Sequence, residues 1–363
     1  MNNEGKTILS YQLFFLLIQT QIGVSIVSLP HDVFNTAKGD GWISVLLTGV
    51  VVQCIIFMYM FIIKRFPTYS WKQVCEALFG KVIGKFIVLL YILYFICLAS
   101  MTLAKYALLL SAWMMPRTPS WVLLLLMLII VLYIVTAKLE AIAQFYVLTS
   151  VILLVYIGFN IYAWKEANLT FILPIGQSGV PHILEGIIKV FPSFSGIELL
   201  LILHIFVHAE KREILKVATI SNVCLTIFYT FITLTSLVFL SPKELKLVPE
   251  PVLYLVKSFS FKIIERPDLI FTSIWIVLVA TTLTMFIYAT KYLSLHMYKK
   301  GKSQFVTIFL LVVCYIIAIP LRKVYILQTV SEYFQYAIIA FMVVLPLIFF
   351  LITFIFSKKE VEQ

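Results

Sequence analysis

The chain has 363 residues, of which 62% are hydrophobic and only 12% are charged, and its mean hydropathy is +1.04. Soluble domains carry roughly 25% charged residues, so this composition excludes an ordinary soluble protein. The net charge of +11 does not indicate nucleic-acid binding, because the lysines and arginines lie in the connections between apolar stretches, where the positive-inside bias places them. The chain is therefore predicted to lie in a lipid bilayer.

Ten apolar stretches, each long enough to cross a bilayer, follow one another along the chain. No connection between them is long enough to hold a folded domain, so we predict an all-α membrane protein with a single transmembrane domain over residues 1–363. The predicted spans are residues 8–35, 42–63, 82–113, 120–137, 141–164, 181–207, 217–240, 268–296, 304–320 and 334–356. Two short helices outside the membrane are predicted, one near 70–80, where Ser70 and Gln73 form a capping-box pattern, and one near 249–260.

Basic residues concentrate on one side of this topology, in the connections that share a side with the N-terminus, such as Lys64-Arg65 and Lys211-Arg212. Since cytoplasmic loops carry the excess of lysine and arginine, both termini are predicted to be cytoplasmic, with a short tail at 357–363. The first apolar run is long and lacks a small-residue cleavage site, so it is predicted to be a span and not a signal peptide.

No pattern in the sequence predicts a cofactor, a metal site or a catalytic centre. The five cysteines are scattered, mostly within spans, and form no CxxC pattern, which argues against a disulfide framework and a metal site. A Gly-rich phosphate loop, an HExxH helix and a G-x-S-x-G turn are all lacking. A membrane-embedded transferase would need paired acidic or His/Asp residues near an interface. We therefore predict that the protein is not an enzyme.

The first and the sixth predicted span are both interrupted halfway. The first contains Ile22-Gly23-Val24-Ser25 ahead of Pro30, and the sixth contains Pro192-Ser193-Phe194-Ser195-Gly196. Interrupted helices at matching positions of two five-helix halves indicate a binding site near the middle of the membrane, because backbone released from helical bonding survives in lipid only where it is buried in protein or lines a cavity. We predict two inverted repeats, near 8–164 and 181–356, with discontinuous first and sixth helices and free backbone groups at both breaks.

Ser195 and Glu198 have the spacing of a capping box, in which the serine hydroxyl accepts from the third amide and the glutamate reaches back. This pattern predicts a helix that starts near Gly196, and the positive end of its dipole would attract an anion such as a carboxylate. The alternative is a simple proline kink that Glu198 caps.

Ionisable residues inside spans are costly and are therefore candidates for functional roles. Glu198, at the break, and Lys105, in the third span, are candidate charge or gating residues, although Lys105 also fits a side chain that reaches the membrane interface. In the eighth span, the hydroxyls of Thr281 and Thr282 are expected either to bind a ligand or to bond a carbonyl of their own helix. His204 is interpreted as a structural residue.

Three stretches of the sequence resemble the B-subunit family of spore germination proteins, in the same order and over essentially the whole chain. They are residues 22–30 followed by Gly41-Trp42-Ile43, residues 194–198, and Glu265-Arg266-Pro267-Asp268 followed by Trp275 and Thr281-Thr282. The resemblance implies a LeuT-like fold related to the amino acid–polyamine–organocation permeases. It also implies a nutrient-sensing subunit of a germinant receptor in the inner membrane of bacterial spores, beside a larger A-type membrane subunit and a C-type lipoprotein.

In that family the germinant contacts the unwound middles of the first and sixth spans, with help from the third and eighth. Carried over to this sequence, the resemblance implies the following ligand-binding residues: Ile22, Gly23, Val24, Ser25, Phe194, Ser195, Gly196, Thr281 and Thr282. Ser25 stands where the family often has a second glycine, so this pocket gains a hydroxyl. The expected ligand is a small nutrient, with an amino acid as the leading candidate. An amino-acid permease needs the same pocket, and the residues do not separate these two functions.

Overall fold

The computed structural model describes residues 7–259, 265–298 and 302–355, and over these ranges nearly all of the regular structure is helical. The helices are α1 (Ser10–Ile22), α2 (Ser25–Ala37), α3 (Gly41–Arg65), α4 (Trp71–Trp113), α5 (Ser120–Val135), α6 (Leu139–Thr149), α7 (Val151–Ala163), α8 (Gly179–Val190), α9 (Leu200–Leu203), α10 (Lys211–Phe239), α11 (Pro242–Leu247), α12 (Pro251–Ser258), α13 (Pro267–Met297), α14 (Ser303–Ala318), α15 (Val324–Ile339) and α16 (Leu345–Ile355).

Each of the ten predicted spans corresponds to a helical segment. Six helical runs of the described chain are long and apolar enough to cross a membrane, and a seventh candidate is the bent pair Gly179–Phe194 and Ile197–Leu203. The apolar helices α5 and α14 have 16 residues each, and α1 forms the first half of the first span. The prediction of an all-α membrane protein is therefore confirmed.

Three spans differ from their predicted form. The fifth is divided at Ser150 between α6 and α7. The tenth begins at Val324, ten residues before its predicted start, and a π-helix at Ala340–Val344 joins α15 to α16. Polar residues such as Gln328 and Glu332 lower the hydropathy of the first turns of α15, so these turns were not predicted as part of the span. The sixth ends at Leu203 and not at residue 207, because the following segment leaves the helix to pair with the N-terminus.

The predicted short helices are present. Ser70 and Gln73 form the expected capping box at the start of α4, and Gly80, with φ +77°, separates residues 71–79 from the span that follows. The outer helix predicted near 249–260 is α12, and α11 precedes it. Residue 260, the last residue of the tenth predicted span at 356 and the tail at 357–363 lie outside the described residues.

The interrupted first span lies at the centre of the bundle, where α1 packs against α10, α13 and α6. Around it, α4 packs along α13 and α3 packs along α10. We call the end of the bundle that carries residues 7–8 and 204–210 the N-terminal face, and the end that carries α11 and α12 the opposite face. From the break, α2 runs toward the opposite face, and it packs there against α8, α11 and α12.

Candidate ligand site

The first span is interrupted between α1, which ends at Ile22, and α2, which begins at Ser25. Gly23 makes this break possible. Gly23 has φ +20° and ψ −126°, a conformation that residues with a β-carbon rarely adopt. A β-carbon here would also lie 2.6 Å from Thr282 Oγ1 of α13. The first break therefore touches α13 directly, at a distance that only glycine allows.

Side chains of α13 bond carbonyl groups near the end of α1. Trp275 Nε1 donates to Gly23 O over 3.2 Å, and Thr282 Oγ1 lies 3.1 Å from Gln19 O and 3.2 Å from a carbonyl of its own helix. Thr281 Oγ1 donates to a carbonyl of its own helix over 2.7 Å. These threonines were expected either to bind a ligand or to bond a main-chain carbonyl. In this structure both hydroxyls bond main-chain carbonyls.

The sixth span is interrupted between Phe194 and Ile197. Two 3-10 helices, Phe191–Phe194 and Ile197–Leu199, flank Ser195 and Gly196, and the helical segments on either side are bent by 52°. Gly196 is left-handed with φ +112°, and a β-carbon on it would lie 3.0 Å from Thr20 Cγ2 of α1. The predicted discontinuous first and sixth helices are therefore present, and their breaks lie side by side.

Glu198 is buried and holds the sixth break by two hydrogen bonds. Its Oε2 accepts from Gly196 N and its Oε1 accepts from Tyr94 OH of α4, each over 2.8 Å. The predicted capping box is only half right. The glutamate reaches back to a backbone amide, but Ser195 Oγ donates to Pro192 O over 2.7 Å and caps no amide. The serine turns back because the 3-10 turn brings the Pro192 carbonyl within its reach.

Tyr229 of α10, which is not among the predicted site residues, joins the two breaks. Its hydroxyl lies 2.7 Å from Gln21 O at the first break and 3.1 Å from Ser193 O at the sixth. Its ring packs edge-on against the ring of Phe194, with centroids 5.5 Å apart. A lone tyrosine in the middle of an apolar span is the signal that could have identified it, because a buried phenol needs a hydrogen-bond partner.

Two polar groups at the breaks make no hydrogen bond to any of the residues that the structure describes. Gln21 Nε2 donates to Leu17 O over 2.7 Å, but the buried Gln21 Oε1 accepts nothing. The Gln21 side chain lies against Gly196. The hydroxyl of Ser25, at the first residue of α2, is half-buried and also unbonded. Free backbone groups were expected at the breaks, but the backbone carbonyls and the amide described above all take part in hydrogen bonds. The unpaired polar atoms at the breaks belong instead to the side chains of Gln21 and Ser25.

The remaining predicted residues fall into two groups. Ile22 and Val24 are buried in the apolar core around the first break. Lys105 is half-buried on α4 and interacts electrostatically with Asp32 of α2, two turns beyond the break. Nothing in the sequence marks Asp32 as functional, because a polar residue near the end of a predicted span resembles an ordinary loop residue.

Main-chain hydrogen bonds close the N-terminal face between the first and sixth spans. Ile8 and Val207 form an isolated parallel bridge. Thr7 N and Ile8 N donate to Phe206 O over 2.8 and 3.1 Å, and His208 N donates to Ile8 O over 2.7 Å. A cavity of about 330 Å³ lies beside this bridge, and its lining includes Lys138, Glu140, Tyr288 and Tyr292.

The family profile described as spore germination protein matches residues 7–326 of this chain. The chain is 29% identical over 265 residues to spore germination protein GerQB of Bacillus cereus, a match that covers 73% of each chain. It is 26% identical over 304 residues to spore germination protein YndE of Bacillus subtilis strain 168, covering 83% of this chain and 84% of that one.

Two solved transporter structures share the fold. A Na⁺-coupled sialic acid symporter in a substrate-bound, outward-open state superposes with a TM-score of 0.71 at 13% identity, covering 97% of this chain and 80% of that one. Mhp1, a nucleobase-cation-symport-1 family transporter in a closed conformation with bromovinylhydantoin bound, gives 0.66 at 12% identity, covering 95% and 78%. Similarity at this level confirms the predicted LeuT-like fold.

Proposed function

Because this chain belongs to the spore germination protein family, a permease-like family and not one of enzymes, we propose that it is the nutrient-sensing B-type subunit of a germinant receptor. The protein crosses the membrane several times. We assign it to the inner membrane of the spore, with the N-terminal face and both termini in the cytoplasm. Its proposed partners are a larger A-type membrane subunit and a C-type lipoprotein.

The contact between the two breaks supports this assignment best. Gln21 Oε1 is an unpaired acceptor at that contact, and an acceptor of this kind suits the ammonium group of an amino acid. The Ser25 hydroxyl, at the start of α2, can donate a hydrogen bond to the carboxylate of the same amino acid. The proposed ligand is therefore a small nutrient of the amino-acid class, held between residues 22–25 and 194–196 with Thr281 and Thr282 in the supporting wall.

A ligand at this contact can trigger a response if it binds one arrangement of the spans more tightly than another, because it then shifts the equilibrium toward that arrangement. A near-complete switch requires a difference in binding free energy of about 5.5 kcal/mol between the two arrangements. Tyr229 bonds carbonyls at both breaks, so a ligand that repositions either break also acts on α10. The nutrient signal would leave the pocket through this helix.

A second function, secondary transport of the same ligand, is favoured by the fold that the chain shares with two transporters. Uptake of radiolabelled amino acids into vesicles that contain only this chain separates the two functions. Robust accumulation would favour the transporter. Ligand-induced stabilisation of the protein without accumulation would favour the sensor.

Thermal-shift measurements on the purified full-length protein, against individual amino acids, sugars and nucleosides, test the ligand site. We expect an amino acid to raise the melting temperature. Gln21→Leu, which removes the unpaired acceptor, should abolish that shift, whereas Gly158→Ala should retain it because a β-carbon at residue 158 meets nothing within 4 Å. Stabilisation by no compound, or equal stabilisation of Gln21→Leu, would contradict the proposal.

A further inference from the structure

We propose that the chain carries a second ligand subsite, in a water-filled vestibule along α2, that binds the ammonium and carboxylate groups of a zwitterion between Asp32 and two lysines. The subsite deepens the proposed function and rests on it for the ligand class. It lies beyond the breaks, toward the opposite face, which is the outer face in the proposed orientation.

One face of α2 is polar from the break to its outer end. Ser25, Ser28, Asp32 and Asn35 follow one another at intervals of three and four residues, so they share a face of the helix. The serines are half-buried, and Asp32 and Asn35 are exposed. The apolar residues of α2 are buried instead: Ile26, Val27, Leu29, Pro30, Val33, Phe34 and Ala37.

This polar face cannot lie against lipid. A carboxylate inside a span is costly unless it faces the interior of the bundle or a water-filled cavity. Asp32 keeps exposed side-chain surface although protein atoms surround it closely, and Ser28 Oγ lies 3.0 Å from Asp32 Oδ2. Its exposure therefore indicates a wet vestibule that reaches down toward Ser25, where the unbonded hydroxyl of the first break lies.

Two lysines on other spans carry the opposite charge. Lys105 of α4 and Lys189 of α8 are half-buried, and the positive charges of both favour the ionised Asp32 carboxylate. His31 acts in the same direction, and the Glu250 carboxyl is a second acidic group that interacts with Asp32. Over residues 7–259, 265–298 and 302–355, no ion pair of 4.0 Å or less joins Asp32 to either lysine. Lys189 Nζ lies 3.5 Å from Gln335 Oε1 of α15. Three spans therefore carry unlike charges that influence one another without a direct ion pair.

Separated charges of both signs select a ligand that carries both. A simple anion gains nothing from Asp32, and a simple cation is repelled by the lysines, whereas an amino acid satisfies both groups at once. Charges that line a cleft also raise the local concentration of a complementary ligand and its rate of association. The subsite would therefore capture an amino acid from the outer side before it reaches the breaks.

A cysteine reporter in the vestibule tests the subsite directly. The full-length chain with Asn35→Cys is placed in nanodiscs and labelled with a negatively charged, membrane-impermeant methanethiosulfonate. The parent chain, treated in the same way, measures the background labelling of the native cysteines. We expect individual L-amino acids to slow labelling severalfold. Asp32→Asn, and the pair Lys105→Gln with Lys189→Gln, should each abolish this protection. The exposed Glu185→Gln of α8 serves as the matched control and should keep it.

The same proteins separate the subsite from the site at the breaks. Gln21→Leu should lose the thermal shift and keep the labelling protection. Protection that survives Asp32→Asn but not Gln21→Leu would overturn the subsite, as would a thermal shift without any protection. Protection without a Gln21-dependent thermal shift would support the subsite and contradict the proposed function. Equal protection by acetate or ethylammonium would overturn the assignment to a zwitterion. A cooperative thermal transition identifies the variants that fold.

Discussion

Gly23 and Thr282 approach so closely that a β-carbon on residue 23 would lie 2.6 Å from the Thr282 hydroxyl oxygen. The same hydroxyl lies 3.1 Å from Gln19 O in α1. One side chain of α13 thus limits the size of residue 23 and also bonds the helix that ends beside it. The shape of the first break is therefore set jointly by its own glycine and by α13, and changes at these two positions are expected to interact.

Gly23→Ala should destabilise the protein and weaken the nutrient response while the chain still inserts. The left-handed backbone and the contact with Thr282 together should cost about 1–3 kcal/mol. Thr282→Ala removes the two nearest of the three atoms that the new methyl group meets, Oγ1 and Cγ2, so the double variant should recover part of the loss. Melting temperatures of the four proteins measure this coupling, with Gly158→Ala as the control. Losses that simply add in the double variant would contradict the contact.

Thr282→Val should impair the protein more than Thr281→Val, although the two substitutions are chemically identical. Thr282 bonds Gln19 O on another helix, whereas the hydroxyl of Thr281 bonds only its own helix. An unpaired buried carbonyl costs about 1–3 kcal/mol, and valine at residue 282 leaves Gln19 O without this donor. Nutrient dose-response curves and melting temperatures provide the comparison. Equal effects of the two variants would show that the bond to α1 does not matter.

The positions of both breaks could be predicted from the sequence because glycine and proline act on the backbone locally. Gly23 and Gly196 have positive φ angles, and residues without a β-carbon are the ones that adopt such angles readily. The side chains that close the breaks could not be predicted in the same way. Tyr229, Tyr94 and Trp275 come from three other spans, and only the folded arrangement brings them to their carbonyl and carboxylate partners.

Membrane spans were predicted well where they are apolar throughout and less well where polar residues interrupt the apolar run. The polar face of α2 includes Asp32 near the end of its predicted span, and the first turns of α15 include Gln328 and Glu332. Such residues lower the hydropathy of a helix without preventing it from lying within the bundle.

The segment at the opposite face that contains Glu250 should become less stable as the pH rises. Burial raises the pKa of the Glu250 carboxyl above its ordinary value of 4.5, although a hydrogen bond from the Trp113 side chain opposes this shift. The folded chain then holds the proton more tightly than the unfolded chain, so stability is lost as the pH rises from 4.5 through the raised pKa. Glu250→Gln should flatten this dependence in melting curves recorded across that range.

Glu244 provides a control of opposite sign for that measurement. Hydrogen bonds from the Ser241 hydroxyl and backbone amide lower the pKa of its carboxyl, so its contribution to stability is lost as the pH falls through the lowered pKa. Glu244→Gln should therefore remove stability at neutral pH and leave the loss at rising pH in place. If Glu250→Gln and the parent show the same pH profile above 4.5, the half-buried Glu250 carboxyl does not contribute as described.

A disulfide across the bridge at the N-terminal face should separate ligand binding from signalling. Ile8 and Val207 are partners in a parallel bridge, and neighbouring strands lie about 4.8 Å apart, within the range of about 4.4–6.8 Å that a disulfide spans between α-carbons. In the oxidised Ile8→Cys/Val207→Cys chain, the amino-acid thermal shift should persist, because the breaks are left unchanged. The germination response should be lost and should return with reductant, because the first and sixth spans can no longer separate at this face.

The single-cysteine variants should respond normally under both conditions. A full response from completely cross-linked protein would show that the signal does not require this face to open, and that the shift in the spans is confined to the opposite face.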